Sequence, residues 1–590
     1  MYQGGILMKK SRSIAALLLA AAICSSSFAG CASKTDSTSS ANAASSLTDD
    51  GKAVTLTVFS TQANYQGELK GWAGKLLKDK FNVTLNIIAP NVAGGGDTLY
   101  ETRSSAGDLG DIVMISQDKI TKTLKAGLFY DMNTRNLLKD YGKNLEQFSK
   151  AIKKDQDYYK TGSHAYIIPD EISTLSPTNV PKRGDTLYGL YTRWDYYEKL
   201  GYPQLNSMDD VVNMMVSMQK QNPKDENGKK TYAMALFKDW DYYLMNAGTS
   251  IGPLFGYQYQ NLCEYNTDAT QVRSILDENS YYLKTLKFLY DLNKKGLLDP
   301  DSASEDFSTV GTKYQNGQLL LGFWSYNGEA QFNTLDHMQK GQGFEMVPLA
   351  GMKIFTGGPS ATGGSDAAGI GVKCKNVVRA MKVLDYLYSD DGWNAFQNGP
   401  KGLCYTTKDG KNTLTEFALN ATADTKIPDA YGGGTWNGGH LNQINWFSRV
   451  GGDIDPNTNE QFSSDGWSSS KLLPKNNNKL TQSYAKKMNA DDIGNYLYKN
   501  NLWNVQPGNS YVHMTEDGDL KTLENQIGSV VKQYSWKMVY AADDAQFNSL
   551  KEKMISQAEG LGMDKVMEFN KKDLAGLASA LKEAVAQAKK

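Results

Sequence analysis

Cysteine is scarce in this chain, five in 590 residues, and histidine is scarcer with four. No CxxC pair and no Cys/His ligand spacing occurs, so a zinc-ribbon or zinc-finger framework is excluded. An excess of one charge is also missing: 63 basic side chains stand against 64 acidic ones. Such a balance projects no long-range positive field, and nucleic acid is not an expected partner. HExxH is absent, the four histidines share no pattern, and the glycine triplets at 94–96 and 432–434 form neither GxGxxG nor a P-loop with its lysine. No nucleotide, metal or other cofactor is expected. Proline is thin at 15, whereas glycine reaches 55 and tyrosine 34. A hydrophobic share of 40% with 22% charged residues rejects a disordered or fibrous chain. The length implies two or more lobes.

Long apolar runs are missing too, with one short exception. Residues 14–23 form a solid apolar block behind the basic Met8-Lys9-Lys10-Ser11-Arg12. That block is roughly half of the ~20 residues needed to span a bilayer, so it reads as a signal-peptide core. It ends in Phe28-Ala29-Gly30-Cys31, which resembles the bacterial lipobox and predicts lipidation at Cys31. The polar stretch from Ala32 to Asp50 suits a flexible leash. Residues 1–30 are therefore expected to be a cleaved lipoprotein signal and 31–52 a tether. The body is expected to be soluble, monomeric and held to the extracellular face of the membrane through lipid alone. Cys263, Cys374 and Cys404 remain in it and are expected as buried free thiols, a Cys374–Cys404 bridge being the alternative.

The body has an α/β rhythm. Residues 54–59 and 83–88 read as strands separated by a helix through Leu69, Trp72, Leu76 and Leu77. A helix to about Ser105 and the apolar run 112–115 follow. This alternation predicts a largely parallel sheet covered on both faces, with ligand at the carboxyl ends of its strands. Those ends are Ser60-Thr61-Gln62 and Ser116-Gln117-Asp118, which makes Gln62 and Asp118 candidate binding residues. Apolar stripes at Val211/Met214/Met215/Met218, Leu283/Leu286/Leu289/Tyr290, Val377/Met381/Leu384/Tyr388 and Leu574/Leu577/Leu581/Val585 predict core-facing helices. Residues 350–375 and 431–479 are rich in Gly, Asn and Ser, show no period, and read as loops or irregular strands.

Several segments then resemble one family in the same order. Ala106-Gly107-Asp108-Leu109-Gly110-Asp111-Ile112-Val113 is similar to the SGDxPDIV signature of bacterial extracellular solute-binding proteins of the sugar-binding type. Gly127 to Met132 resembles their GLLxDL segment, and Tyr188 to Gly201 their YGLxxRxDWLxKLG. The runs 289–300, 314–318 and 380–402 follow the family pattern, and 549–563 resembles its tail without the usual tryptophan. Gly399-Pro400-Lys401-Gly402 departs at its third residue. The resemblance implies a periplasmic-binding-protein-like α/β fold, two lobes joined by crossover hinge strands with ligand in the cleft between them. It implies lobe 1 over 53–170 and 366–400, and lobe 2 over 171–365 and 401–590, with Gly369 to Val372 as the strand returning to lobe 1. It makes Trp194 and Arg193 structural.

A sugar offers hydroxyls at its edge and weakly apolar C–H faces, so its site needs aromatic platforms and fixed hydrogen-bond partners. Trp240, Trp324 and Trp436 lie in polar or glycine-rich surroundings and are the candidate platforms, all expected from lobe 2 by family analogy. Asp225 to Lys230 occupies the stretch where some relatives carry a calcium loop, but Lys229 stands at the third ligand, Lys230 at the sixth position and Leu236 at the last, and a solvated turn is expected. The resemblance thus implies a receptor, not an enzyme, that captures an oligosaccharide for the permease of an ABC importer. A secreted glycosidase and a peptide-binding receptor of the same architecture stay open as alternatives.

Overall fold

The computed structural model describes residues 47–589 apart from 94, 239, 422, 423 and 515. The expected signal peptide, most of the tether and the lipidation of Cys31 lie outside the described residues.

The first lobe is built on a six-stranded sheet. Strand β1 (Val54–Ser60) runs between β3 (Val83–Ile88) and β4 (Ile112–Ile115), parallel to both, and β2 (Gly67–Glu68) pairs with the outer edge of β3. Helix α1 (Gly71–Phe81) makes the crossover from β2 to β3. It stops at Asn82, whose φ of 53° turns the chain out of the helix while its N–H still bonds Lys78. The return strand spans Ala367–Ile370 and lies antiparallel to β4 and to β5 (Ile168–Pro169). The returning strand is therefore present two residues earlier than expected. Its neighbours are fully buried, as a sheet covered on both faces requires.

The second lobe is different. Its central strand, β6 (Tyr188–Arg193), is flanked by Leu321–Trp324 and Phe344–Met346, antiparallel to both. The parallel expectation holds in the first lobe only, because β6 enters from a crossover and not from a strand–helix–strand unit. All four predicted stripes lie on helices, Met208–Gln221, Tyr281–Lys294, Val377–Tyr388 and Met563–Ala588. Trp194 and Arg193 are buried in this lobe, the guanidinium bonding Asp195. Cys263, Cys374 and Cys404 are buried free thiols, each pushed up to about 12 by burial. Among the described residues no helix is long and apolar enough to cross a membrane.

The buried residues sort into a first core around β1, a small satellite beneath the same sheet, and a second core around β6. One expectation fails here. Leu403, Cys404, Leu441, Trp446, Phe462 and Trp467 belong to the first core, whereas the sequence placed all of 401–590 with lobe 2. These large side chains are scattered singly through a glycine-rich segment, so no period advertised which core they fill. The chain changes core again only between Trp467 and Leu480. Three stretches thus cross between the lobes: 170–187, 355–366 and 474–479.

The crossings are joined mostly by main chain. Ile172 bridges both Ser360 and Arg449, Gly358 N–H donates to Gln506 at 2.7 Å, and Gly508 N–H donates to Pro177 at 2.9 Å. Strand Ile354–Gly357 runs parallel to Trp503–Gln506 beside them. The Asp453 carboxylate receives the Ser173 hydroxyl and the Thr174 N–H, pinning the first crossing to the first core. A Cβ on Gly358 would lie 2.2 Å from Pro177 O, whereas one on Gly357 would meet nothing within 4 Å. Gly358→Ala is expected to lower thermal stability by ~1–3 kcal/mol, as overpacking does. Gly357→Ala should stay within about 0.5 kcal/mol of the parent. Equal melting temperatures for the two variants would show that the crossings tolerate extra bulk.

Candidate functional site

In the first lobe the ends of β1 and β4 meet in a polar recess of about 170 Å³ lined by Thr61, Gln62, Asn91, Ser116 and Lys119 among others. Thr61 Oγ1 lies 3.2 Å from Ser116 Oγ and accepts the Ser116 N–H at 3.1 Å. Gln62 Nε2 donates to Asp366 Oδ2 at 2.6 Å, and Asp366 Oδ1 accepts the Gln117 N–H at 3.1 Å. The Gln62 amide oxygen is therefore fixed in orientation by its nitrogen. Asp118 sits in the first turn of helix Gln117–Lys125, exposed, with its carboxylate 2.7 Å from Lys119 Nζ. The recess is lined by its neighbours Ser116 and Lys119, not by Asp118. Behind it, burial and the neighbouring Glu171 and Asp366 push Asp170 up to about 8.

The second lobe supplies rings. Trp240 is 45% exposed, and it stacks on Phe307 at 4.5 Å and meets Tyr326 edge-on at 5.5 Å. Trp324 stacks beneath Tyr326 at 5.7 Å and 11°, and is only 6% exposed. The Trp240 turn is anchored by the next residue: Asp241 accepts the Trp536 indole N–H at 2.8 Å and the Asn246 N–H at 2.8 Å. Beside the rings lies a recess of about 240 Å³ that includes Tyr188, Gln258, Tyr259, Trp324 and Tyr326. Gln258 Nε2 and Tyr259 Oη are buried there with no hydrogen-bond partner. Orphaned buried groups of this kind are costly unless a water or ligand serves them.

Trp240 and Trp324 thus belong to one wall. Trp436 does not join them. It is half-buried in the first lobe, stacked on Trp72 at 6.0 Å and edge-on to His440 at 5.2 Å, against the expectation that it comes from lobe 2. Its glycine-rich segment packs closely against Gly71 on α1. Sequence reasoning missed Tyr326, Phe307, Gln258 and Tyr259. Tyr326 was legible as the i+2 neighbour of Trp324, but Phe307 arrives on a separate helix and carries no local signal. One motif also escaped it: Gly248-Thr249-Ser250-Ile251-Gly252 has GxSxG spacing. Ser250 is fully buried, its hydroxyl donates to Ala247 O at 2.7 Å, and the segment is a 3-10 turn, so no exposed nucleophile is formed.

Carboxylates converge at another place. Asp299, Asp301 and Glu305 bring ligand oxygens within 4.8 Å of one another. Lys313 Nζ lies 2.6 Å from Asp299 and also bonds Glu305, so an internal ammonium offsets part of the cluster's charge. In the Asp225 turn, the carboxylate accepts the N–H groups of Asn227 and Lys229 at 2.9 and 2.7 Å.

His440 is wedged edge-on between Trp72 and Trp436, and its Nδ1 accepts the Asn442 N–H at 2.8 Å. Burial lowers its pKa to about 4. The unfolded chain, with an ordinary value of about 6.5, takes up this proton first as pH falls. Stability from this ring is therefore complete above pH ~6.5 and lost progressively down to pH ~4, by on the order of 3 kcal/mol. His440→Gln should flatten the acid-induced fall in melting temperature across that window. An NMR titration of the ring centred near 6.5 would contradict this.

Residues 66–392 match the family described as bacterial extracellular solute-binding protein. No curated protein matches the sequence. Among solved structures, an HMO-binding, ABC-transporter-associated solute-binding protein from Bifidobacterium longum infantis is 18% identical, with a TM-score of 0.56 over 90% of this chain and 100% of that one. An alginate-binding protein, AlgQ2, is 16% identical, with a TM-score of 0.55 over 90% and 99%. The FusA substrate-binding protein of S. pneumoniae in complex with kestose is 15% identical, with a TM-score of 0.55 over 91% and 100%. These likenesses share the two-lobed fold just described. The family match spans more than half of the chain, and the protein belongs to the bacterial extracellular solute-binding proteins.

Proposed function

We propose that the protein is a receptor that captures an oligosaccharide outside the cell and hands it, unaltered, to the permease of an ABC importer. The observation that carries this reading is the ring wall of Trp240, Phe307 and Tyr326 beside the orphaned Gln258 and Tyr259. Rings offer C–H stacking faces, and orphaned amide and phenol groups offer the hydrogen bonds that sugar hydroxyls need. On the first lobe, Gln62, Thr61 and Ser116 supply further polar partners at strand ends. Proteins of like fold that bind alginate, HMO and kestose support a carbohydrate as the ligand class. A ligand touching both lobes favours the closed arrangement by its differential affinity for it. In this reading the protein is monomeric, and lipid on Cys31 holds it at the membrane surface with the leash behind it.

Binding and melting are best measured together. Trp240→Ala should weaken oligosaccharide binding by about 5- to 150-fold, the equivalent of ~1–3 kcal/mol for a lost stacking platform, with little change in melting temperature because the ring is half exposed. Trp324→Ala should lower melting as well, by ~3–5 kcal/mol, because that ring is almost wholly buried. Calorimetry against a panel of oligosaccharides, with product analysis of every binder, checks both. Normal binding by the Trp240 variant would refute the wall, and new reducing ends formed in proportion to protein would make the chain a glycosidase.

Lipidation is tested separately. Cys31→Ala should move the protein from the membrane fraction to the medium, and continued retention would rule out the anchor.

A further inference from the structure

A second cavity, of about 530 Å³, lies where the third crossing meets the second lobe. Its rim carries three ion pairs: Arg183 with Asp492 at 3.3 Å, Lys471 with Asp491 at 3.4 Å, and Lys475 with Asp465 at 3.2 Å. Those pairs cancel one another. Three more carboxylates line the cavity, none of them in an ion pair among the described residues: Asp185 ahead of β6, which feels only the already paired Lys475, Glu329 on helix Gly328–Phe332, and Glu345 on strand Phe344–Met346.

Among the described residues none of the three accepts a hydrogen bond. Glu345 is 7% exposed, and the groups acting on it are burial and the neighbouring carboxylates Glu329, Asp185 and Asp492. Glu329 Oε2 is buried without a partner. A fourth group makes the same point independently of charge. Tyr484, on helix Lys479–Met488, is 2% exposed and lines the cavity, yet its hydroxyl has no partner. Buried polar groups are nearly always served by something, and leaving Glu329 Oε2 and Tyr484 Oη unserved in one cavity points to a missing ligand.

We propose that this cavity binds a primary ammonium group carried by a small organic molecule. The charge deficit calls for a cation, and an ammonium presents three N–H donors that can be shared among separated carboxylates. A bare divalent ion fits less well, since the only three carboxylates brought within 4.8 Å among the described residues are Asp299, Asp301 and Glu305. The cavity is also far larger than one ion requires. Tyr484 Oη would serve a hydroxyl beside the amine, as in an amino sugar, whereas an aliphatic diamine would leave it orphaned. Burial and mutual repulsion hold Glu329 and Glu345 above the usual carboxylate range, so an arriving ammonium should displace protons into the buffer. None of this depends on the oligosaccharide reading, because the ring wall contributes no residue to this cavity.

The test uses the intact protein, titrated by calorimetry with glucosamine, putrescine, N-acetylglucosamine and calcium chloride, each in two buffers of different ionisation enthalpy. Glucosamine and putrescine should bind with proton release, and N-acetylglucosamine, whose nitrogen is an uncharged amide, should not bind here. Tighter binding of glucosamine than putrescine would assign the amine to a sugar, and the reverse to an alkyl amine. Glu329→Gln and Glu345→Gln should each weaken ammonium binding at least tenfold while leaving affinity for any oligosaccharide bound at the ring wall unchanged. Asp185→Asn, at the exposed mouth, provides the same readout should either buried variant fold poorly. Absence of binding by both amines, or equal affinity in the three variants, would overturn the proposal. Calcium binding that disappears in those variants would overturn it in favour of a metal site.

Discussion

Neither lobe is made from one continuous stretch of chain, and the consequence is geometric. Sheet strands contributed before residue 170 must find a partner strand beginning at Ala367, and a core begun at Leu56 is finished by Trp467. The connections that make this possible run side by side between the lobes and touch through backbone, with glycine where two chains approach too closely for a Cβ. Main-chain contacts of this kind bend at a few dihedrals without unpacking side chains, which is what a hinge needs. The two candidate surfaces inherit their positions from it. The polar strand ends belong to one side and the ring wall to the other.

The two surfaces are chemically unlike. The first-lobe recess is small and polar, with Gln62 locked by Asp366. The second-lobe wall is broad and aromatic, and its most exposed ring is held by a neighbour, Asp241, that reaches the C-terminal helices. An order of binding follows naturally: stacking on the wall tolerates small displacements, whereas hydrogen bonds to a fixed amide do not. In the proposed reading a ligand settles on the rings first and is selected by the strand ends on closure.

How much of this was legible depended on whether the signal was local. Strands 54–59, 83–88 and 112–115 announced themselves by apolar runs, and helices such as Tyr281–Lys294 by an apolar stripe. The family motifs carried the two-lobed plan. The segment from Leu403 to Trp467 was misassigned because its buried residues are far apart in sequence and the core they complete lies hundreds of positions upstream. Trp436 failed for the same reason. A glycine-rich setting suggested a ligand's approach, but the glycines serve a neighbouring helix, α1, through Gly71. Polar neighbours singled out Trp240 in the sequence, whereas nothing local pointed to Phe307, on which it stacks.

Lys313 fills the one place among the described residues where three carboxylates close on a point. That lysine and Phe307 belong to the same helix, Phe307–Gln315, so the ammonium that bonds Asp299 and Glu305 also ties down the helix presenting a ring of the wall. A covalently supplied cation has a stoichiometry of one and an off-rate of zero. It cannot be stripped by a chelator or diluted away when the surroundings are poor in minerals. The helix that carries Phe307 is therefore held without an exchangeable ion, and a chelator in the medium has nothing to remove from it.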